Sequence, residues 1–194
     1  MVLSTWNFGA RVTETAWGVL KEGGSTRDAV EAGVRVAEAN PKVTSVGYGG
    51  APDREGKVTL DACIMNGNGD CGSVVFLEQI LHPVSVARQV MEKTPHVMLA
   101  GAGAQKFALE NGFQKENLFT DEAKKAFRQW RKAHPQAPLK MDKDNHDTIG
   151  MVALDGKGNM AGACTTSGSA YKMRGRVGDS PIIGSGLYVD NEIG

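Results

Sequence analysis

One threonine, Thr148, follows an acidic residue and stands first in the strand-like segment "TIGMVALD". A threonine hydroxyl is a poor nucleophile until a base removes its proton, and no recognisable serine or cysteine triad surrounds this one. A threonine at the start of a chain can use its own α-amine as that base, because the unperturbed amine has a pKa of about 8. Such chemistry requires cleavage of the bond after Asp147, for example by attack of the Thr148 hydroxyl on the Asp147 carbonyl. The spacing alone favours a simpler interpretation, in which threonine begins a strand and aspartate ends a loop.

A second pair of residues could bind a small charged molecule. Arg176 and Asp179 stand three apart in the glycine-punctuated segment "MRGRVGDSP" at 173–181. An arginine can hold a carboxylate through two parallel hydrogen bonds, and an aspartate can accept hydrogen bonds from an ammonium group. Together they could bind the α-carboxylate and the α-amine of a free amino acid. The commoner alternative is an ion pair between the two at the surface.

The remaining polar candidates carry weaker signals. Hydroxyl groups in "CTTSGS" at 164–169 could hydrogen-bond a nucleophile or its amine, although serine and threonine also form turns at strand ends. His146 could act as a base or as a structural partner of the 147/148 junction. The four histidines show no metal-ligand spacing, and the glycine clusters match neither a phosphate-binding loop nor a full dinucleotide fingerprint. The sequence therefore predicts neither a metal nor an organic cofactor.

Composition excludes several other classes of function. The chain of 194 residues is long enough for a single domain with a sizeable core, and its 22 basic side chains balance 22 acidic ones. This balance gives no reason to expect nucleic acid or an anionic membrane as a partner, and no apolar run has the length of a membrane helix. Three scattered cysteines are too few for a disulfide framework. Cys63 and Cys71 could form one local bridge, but buried free thiols are favoured.

The helices that must position these residues are predicted from apolar spacing and caps. Two helices are expected before the Asn40-Pro41 pair, the second capped by Ser25 with Asp28 three positions later. Further helices are expected at 83–92, 104–111 and 120–133, the last with Thr120 as its cap.

The strands are predicted from apolar runs and turn residues. "VLSTWNF" indicates a strand that ends near Asn7, and "KVTLDACIM" at 57–65 indicates a buried one. "TIGMVALD" and "NMAGACTT", joined by Gly156-Lys157-Gly158, predict a β-hairpin that begins at Thr148, after an exposed loop at 134–147. Helices and strands mix without a regular βαβ alternation, which favours an α+β fold of sheets covered by helices.

Several short segments, taken in this order, resemble the glycosylasparaginase (aspartylglucosaminidase) family of N-terminal-nucleophile hydrolases. The resemblance covers essentially the whole chain, and its segments are "STWNF" at 4–8, "SVGYGG" at 45–50, "TLDACIM" at 59–65, "MEKTPHVMLAG" at 91–101, "HDTIG" at 146–150, "TTSG" at 165–168 and "GRVGDSPIIGSG" at 175–186.

The resemblance implies a four-layer αββα sandwich and a precursor that cleaves itself between Asp147 and Thr148. Thr148 would then be the nucleophile and, through its amine, the general base, while His146 and Asp147 would belong to the self-cleavage step. Matched by motif, Arg176 would bind the α-carboxylate of the substrate and Asp179 its α-amine. Thr166 would hydrogen-bond at the nucleophile. Trp6 and Ser45 would border the pocket.

The implied substrate is an asparagine that carries N-acetylglucosamine, cleaved to aspartate and a glycosylamine during glycoprotein degradation. An isoaspartyl peptidase or plant-type asparaginase of the same fold shares the arginine–aspartate pair and stays open as an alternative. The "HDTIG" junction and the Trp6 segment favour the first activity. A non-catalytic amino-acid-binding module, or an inactive fragment, is the alternative from another class.

The resemblance also implies how the chain is organised. Residues 1–147 would form the α-subunit segment and residues 148–194 the start of the β-subunit segment of one domain, assembled as a dimer of αβ heterodimers. Family members continue beyond the equivalent of Gly194 with a segment whose Thr-Gly pair forms the oxyanion hole, so we expect a C-terminally incomplete sandwich here. The N-terminal residues show no signal-peptide pattern. A periplasmic or lysosomal location, with the signal removed, follows from the family, and the cytoplasm is the alternative.

Overall fold

The computed structural model of the chain describes residues 1–136 and 148–192. In chain order their helices and strands are β1 Val2–Ser4, α1 Gly9–Lys21, α2 Thr26–Glu38, β2 Thr59–Asn66, β3 Cys71–Glu78, α3 Pro83–Lys93, β4 Met98–Ala100, α4 Gly101–Glu110, α5 Asp121–Ala133, β5 Ile149–Leu154 and β6 Met160–Thr166.

The strands of the described ranges form one sheet in the order β1-β5-β6-β2-β3-β4, antiparallel throughout except between β3 and β4. The predicted hairpin is confirmed as β5 and β6, and Ile149 pairs with Thr165. One further step of that register places Thr148 beside Thr166. Side chains alternate between the faces of a strand, so Ile149 enters the helical core while Thr148 points to the opposite face.

Helices α1 to α4 cover one face of this sheet and form the main core with it. The apolar stripe of α2, including Val30 and Val34, is fully buried against the strands. The predicted cap of α2 is confirmed, because Ser25 Oγ accepts a hydrogen bond from Asp28 N at 3.1 Å and the Asp28 carboxylate accepts one from Ser25 N at 3.3 Å. Such caps contribute about 1 kcal/mol each.

The other face carries a smaller apolar cluster, covered by the chain after residue 180. Its buried members are Cys63, Met65, Cys164, Leu187 and Val189. Hydrogen bonds from Cys63 Sγ to Ser180 O (3.2 Å) and from Ser73 Oγ to Pro181 O (2.7 Å) fix that segment to the sheet. The three cysteines are free, as predicted. The face away from the helices is therefore the one that holds the segment around Arg176 and Asp179.

One strand prediction needs correction, and two strands are additional to those predicted. β1 ends at Ser4 rather than near Asn7, because Trp6 adopts φ 64°, a left-handed conformation that an extended strand cannot continue through. β3 and β4 were not predicted. β3 is buried on both faces for much of its length, so it lacks the alternation that marks a half-exposed strand.

The α+β class is confirmed, and the single sheet with its helical layer corresponds to one half of the αββα sandwich that the resemblance implies. Within residues 1–136 and 148–192 we found no helix that is both long and apolar enough to cross a membrane. The same ranges contain no cluster of histidine, cysteine and carboxylate side chains suited to a metal ion.

Candidate active site

A cavity of about 320 Å³ opens at the beginning of β5, on the face of the sheet away from the helices. It lies where the N-terminal turn, the hairpin and the segment after β6 meet. Its lining residues are Trp6, Thr148, Gly168, Ser169, Arg176, Asp179 and Ser180. Four of the sequence-predicted site residues, distant along the chain, therefore share one cavity.

Thr148 is half-buried in this cavity and is held through its carbonyl group. Its carbonyl oxygen accepts hydrogen bonds from Trp6 Nε1 at 2.9 Å and from Thr5 Oγ1 at 3.1 Å. Its Oγ1 lies 3.1 Å from Ser180 Oγ, close enough for a hydrogen bond in either direction. The hydroxyl group is thus fixed next to a second hydroxyl group, on the side of the strand that faces the cavity.

Trp6 forms the exposed edge of the cavity, with 54% of its surface accessible. Its positive φ places a large side chain in the left-handed region, which costs a residue other than glycine about 1–3 kcal/mol. The indole hydrogen bond to Thr148 O helps to hold this conformation. Backbone strain therefore coincides with the position next to the candidate nucleophile.

Thr166 and Ser45 lie behind the cavity and do not line it. Thr166 Oγ1 donates to Ser45 O at 3.2 Å and accepts from Gly168 N at 2.9 Å, so it shapes the turn after β6. Ser45 O also accepts from Ser167 N at 2.8 Å. Ser45 lines an adjacent cavity of about 310 Å³ that shares Gly168 with the first. The hydrogen bond of Thr166 at the nucleophile and the place of Ser45 at the border of the substrate pocket stay predictions.

Arg176 and Asp179 both line the cavity, but they do not form the surface ion pair considered above. Within the described residues, no carboxylate lies within 4.0 Å of a side-chain nitrogen of Arg176, and no cationic nitrogen lies that close to the Asp179 carboxylate. Arg176 is half-buried and Asp179 is exposed. The cavity thus offers a cation and an anion to a ligand that carries both charges.

A buried charged pair lies under this part of the site. Lys172 is fully buried, and its Nζ donates to Ser167 O at 2.9 Å and, more weakly, to Thr59 O at 3.5 Å. Burial lowers the pKa of Lys172, and the nearby Asp61 opposes that shift. Burial likewise raises the pKa of Asp61, against the attraction of Lys172 and the hydrogen bond from Phe76 N. Each group therefore opposes, without cancelling, the shift that burial imposes on the other.

Sequence reasoning missed several of these residues. Ser180 belongs to the "GDSP" segment that had drawn attention for its aspartate, and Thr5 adjoins the predicted Trp6. Gly168 and Ser169 belong to the hydroxyl-rich segment "CTTSGS" without a signal of their own, whereas Lys172 stands in "AYKMRGR", whose two arginines and glycine are typical of an exposed loop. The two residues assigned to self-cleavage, His146 and Asp147, lie outside the described residues.

Comparison with known proteins is consistent over the whole chain. A family model described as Asparaginase (Asparaginase_2) matches residues 5–194. All 194 residues align at 62% identity with a protein of Elizabethkingia miricola named N(4)-(beta-N-acetylglucosaminyl)-L-asparaginase, of which they cover 57%. Proteins of the same name from Rattus norvegicus and Mus musculus are 38% and 39% identical, and the whole chain covers 65% of each. The chain thus spans somewhat less than two thirds of the length of these curated relatives.

Proposed function

The chain belongs to the Asparaginase_2 family, and we propose that this protein hydrolyses the amide bond between asparagine and N-acetylglucosamine. The observation that carries the proposal is the cavity that Thr148, Arg176 and Asp179 line together. The relative from Elizabethkingia miricola, whose name states this activity, is 62% identical over the whole chain.

Activation begins with cleavage of the chain between Asp147 and Thr148. The Thr148 hydroxyl attacks the Asp147 carbonyl carbon, the peptide C–N bond breaks, and the Thr148 nitrogen receives a proton. That step already frees the α-amine of Thr148 and leaves Asp147 joined to its Oγ1 as an ester; water then hydrolyses the ester, which releases the Asp147 carboxylate and restores the Thr148 hydroxyl. The contact of Thr148 Oγ1 with Ser180 Oγ supports a role for Ser180 in orienting the attacking hydroxyl.

The substrate is held by the charges at its α-carbon. The Arg176 guanidinium binds the α-carboxylate and the Asp179 carboxylate binds the α-ammonium, so the side-chain amide points toward Thr148. The absence of ion pairs to either group within the described ranges supports this assignment, because neither must first be released from a protein partner. Trp6 borders the entrance.

Turnover uses the freed amine as the base. It takes the proton of the Thr148 hydroxyl, the oxygen attacks the amide carbon, and the glycosylamine leaves with that proton. Water hydrolyses the aspartyl ester and releases aspartate, while the glycosylamine breaks down to ammonia and sugar. Thr166, behind the turn, contributes by holding Gly168 and hence the wall of the cavity.

Processing also defines the organisation that we propose for the protein. Residues 1–147 and 148–194 belong to the α and β subunits of one folded unit, which assembles as a dimer of such heterodimers. β5 lies between β1 and β6, so cleavage leaves the two subunits joined within a single sheet. A periplasmic or lysosomal location is proposed from the resemblance alone.

The test compares the full-length wild-type protein with its Thr148→Ala and Thr148→Cys variants. On a denaturing gel we expect two bands for the wild type and for Thr148→Cys, whose thiol can also attack, and one band for Thr148→Ala. Thr15→Ala, a threonine on α1, is the matched control and should give two bands. Intact mass should locate the new terminus at Thr148.

Substrate choice is tested by the release of aspartate from a glycosylated asparagine and from a β-aspartyl dipeptide. We expect the glycosylated substrate to be turned over faster. Faster turnover of the dipeptide would indicate an isoaspartyl peptidase. An uncleaved wild-type chain without turnover would support the non-catalytic alternative.

A further inference from the structure

Lys172 is the largest of the fully buried side chains in the described residues, and a basic group in a fully buried position requires an explanation. Removing an ammonium group from water costs several kcal/mol unless hydrogen bonds and an opposite charge compensate. Here the compensation is partial. Nζ has a good hydrogen bond to Ser167 O and a long one to Thr59 O, and no carboxylate of the described residues lies within 4.0 Å of it.

Distances from Gly168, which lines the cavity, locate this ammonium group relative to the cavity. A Cβ atom built on Gly168 would lie 2.7 Å from Lys172 Nζ and 3.2 Å from Arg176 Nη1. Two cationic nitrogens therefore flank one glycine of the cavity wall. Arg176 is the one that lines the cavity, while Lys172 lies on the buried side.

Asp61 is the counter-charge of this arrangement, and its location explains why it does not neutralise Lys172 by direct contact. It pairs with Thr166 in the sheet and sits at a β-bulge, where its Oδ1 accepts a hydrogen bond from Phe76 N at 2.8 Å. Its Oδ2 is buried without a hydrogen-bond partner. The carboxylate is thus held by the bulge, at a distance from Lys172.

We propose that Lys172 is a positioning residue for the substrate's α-carboxylate, acting as a buried positive charge behind Arg176 and as the anchor of the Ser167–Gly168 turn. Asp61 partly offsets this charge and so limits the affinity for anions. The inference rests on the proposed function, because it names the ligand group that the charge serves. A lysine that merely filled the core would show no preference for the charge of the ligand.

The experiment measures binding of L-aspartate, the product, and of L-isoasparagine, in which the α-carboxylate is an uncharged amide. Calorimetric titration of the mature full-length protein gives Kd for both ligands. For Lys172→Met we expect aspartate binding to weaken roughly tenfold and isoasparagine binding to change less than about twofold, because only aspartate carries the α-carboxylate charge. Lys157→Met, an exposed lysine in the β5–β6 turn, should change neither Kd.

Asp61→Asn gives an independent test in which Lys172 is kept. The asparagine oxygen can still accept the Phe76 N–H, so the bulge is retained while the negative charge is lost. We expect aspartate to bind severalfold more tightly and isoasparagine to bind as before. This variant still tests the inference if Lys172→Met fails to fold, because unchanged or weaker aspartate binding would contradict it.

Three results would overturn the inference: equal losses for both ligands in Lys172→Met, unchanged or weaker aspartate binding in Asp61→Asn, or a wild-type protein that does not distinguish aspartate from isoasparagine. The proposed function is judged separately, by turnover of glycosylated asparagine. A wild-type protein that binds aspartate but releases none from glycosylated asparagine would refute the proposed function. The inference on Lys172 would then still be judged by the Kd values of the variants for aspartate and isoasparagine.

Discussion

Gly168 is the point at which backbone conformation, the buried lysine and the substrate cavity meet, and replacing it with alanine should damage both stability and binding. Its φ of +75° is one that an L-residue rarely adopts, and the new methyl group would lie 2.7 Å from Lys172 Nζ. The lysine cannot swing into solvent, because it is fully buried and hydrogen-bonded to Ser167 O. Either that hydrogen bond breaks or the turn moves.

The expected loss has two parts. The left-handed conformation costs alanine about 1 kcal/mol relative to glycine. Disruption of a buried hydrogen bond from a charged donor costs about 1.5–3 kcal/mol. We therefore expect Gly168→Ala to lower the free energy of unfolding by roughly 3 kcal/mol. The KM for glycosylated asparagine should rise more than about tenfold, because the same methyl group lies 3.2 Å from Arg176 Nη1.

Gly158→Ala is the matched control. Gly158 has φ +86°, nearly the same conformation, but no neighbouring atom within 4 Å of the added Cβ. Only the conformational part, about 1 kcal/mol, should appear there, with KM unchanged. Urea unfolding and initial rates of aspartate release measure both quantities. Equal losses of stability in the two variants would refute the reasoning, because the contact with Lys172 would then contribute nothing.

Three further predictions follow from other contacts. Burial raises the pKa of Glu38 above its ordinary 4.5, so its contribution to stability is full below that pH and is lost as pH rises through the folded-state pKa. Urea unfolding measured from below pH 4.5 upward should show this loss of stability with rising pH in the wild type and not in Glu38→Gln. Gly178→Ala places a Cβ 2.9 Å from Arg176 Nη1, so KM should rise about tenfold or more while the unfolding free energy changes little. Ser180→Ala removes the hydroxyl 3.1 Å from Thr148 Oγ1, so self-cleavage followed on gels should slow at least about tenfold, and an unchanged rate would exclude Ser180 from that step.

The elements that could be predicted from the sequence are those whose signals are local. The cap of α2 by Ser25, the cap of α5 by Thr120 and the β5–β6 hairpin all depend on residues within a few positions of one another. β3 could not be predicted in this way, because it is a central strand whose burial on both faces arises from its neighbours in the sheet.

The residues of the candidate site also differ in whether local sequence signals or tertiary contacts reveal them. Thr148, Arg176 and Asp179 could be proposed because their segments resemble the motifs of a known family, although their spacing alone favours a strand start and a surface ion pair. The structure brings all three to one cavity. Lys172 could not, since its burial depends on β2, a distant part of the chain, as well as on the nearby turn at Gly168. A lysine beside two arginines in sequence predicts an exposed loop, and only tertiary contacts reverse that expectation.

The way in which Thr148 is held is compatible with the proposed self-cleavage, in which its nitrogen would change its bonding while its side-chain oxygen stays in place. Its carbonyl is fixed by Trp6 Nε1 and Thr5 Oγ1, and Gly150 in β5 exchanges hydrogen bonds with Thr5, just after β1. Each of these hydrogen bonds joins Thr148 or Gly150 to Thr5 or Trp6, and none of them uses the carbonyl group of Asp147 or the nitrogen of Thr148. Cleavage of that bond would therefore break none of them, and the hydroxyl would keep its place in the cavity while the amine beside it became free to act as a base. A single position of one oxygen could in this way serve both the attack on the chain and the attack on the substrate.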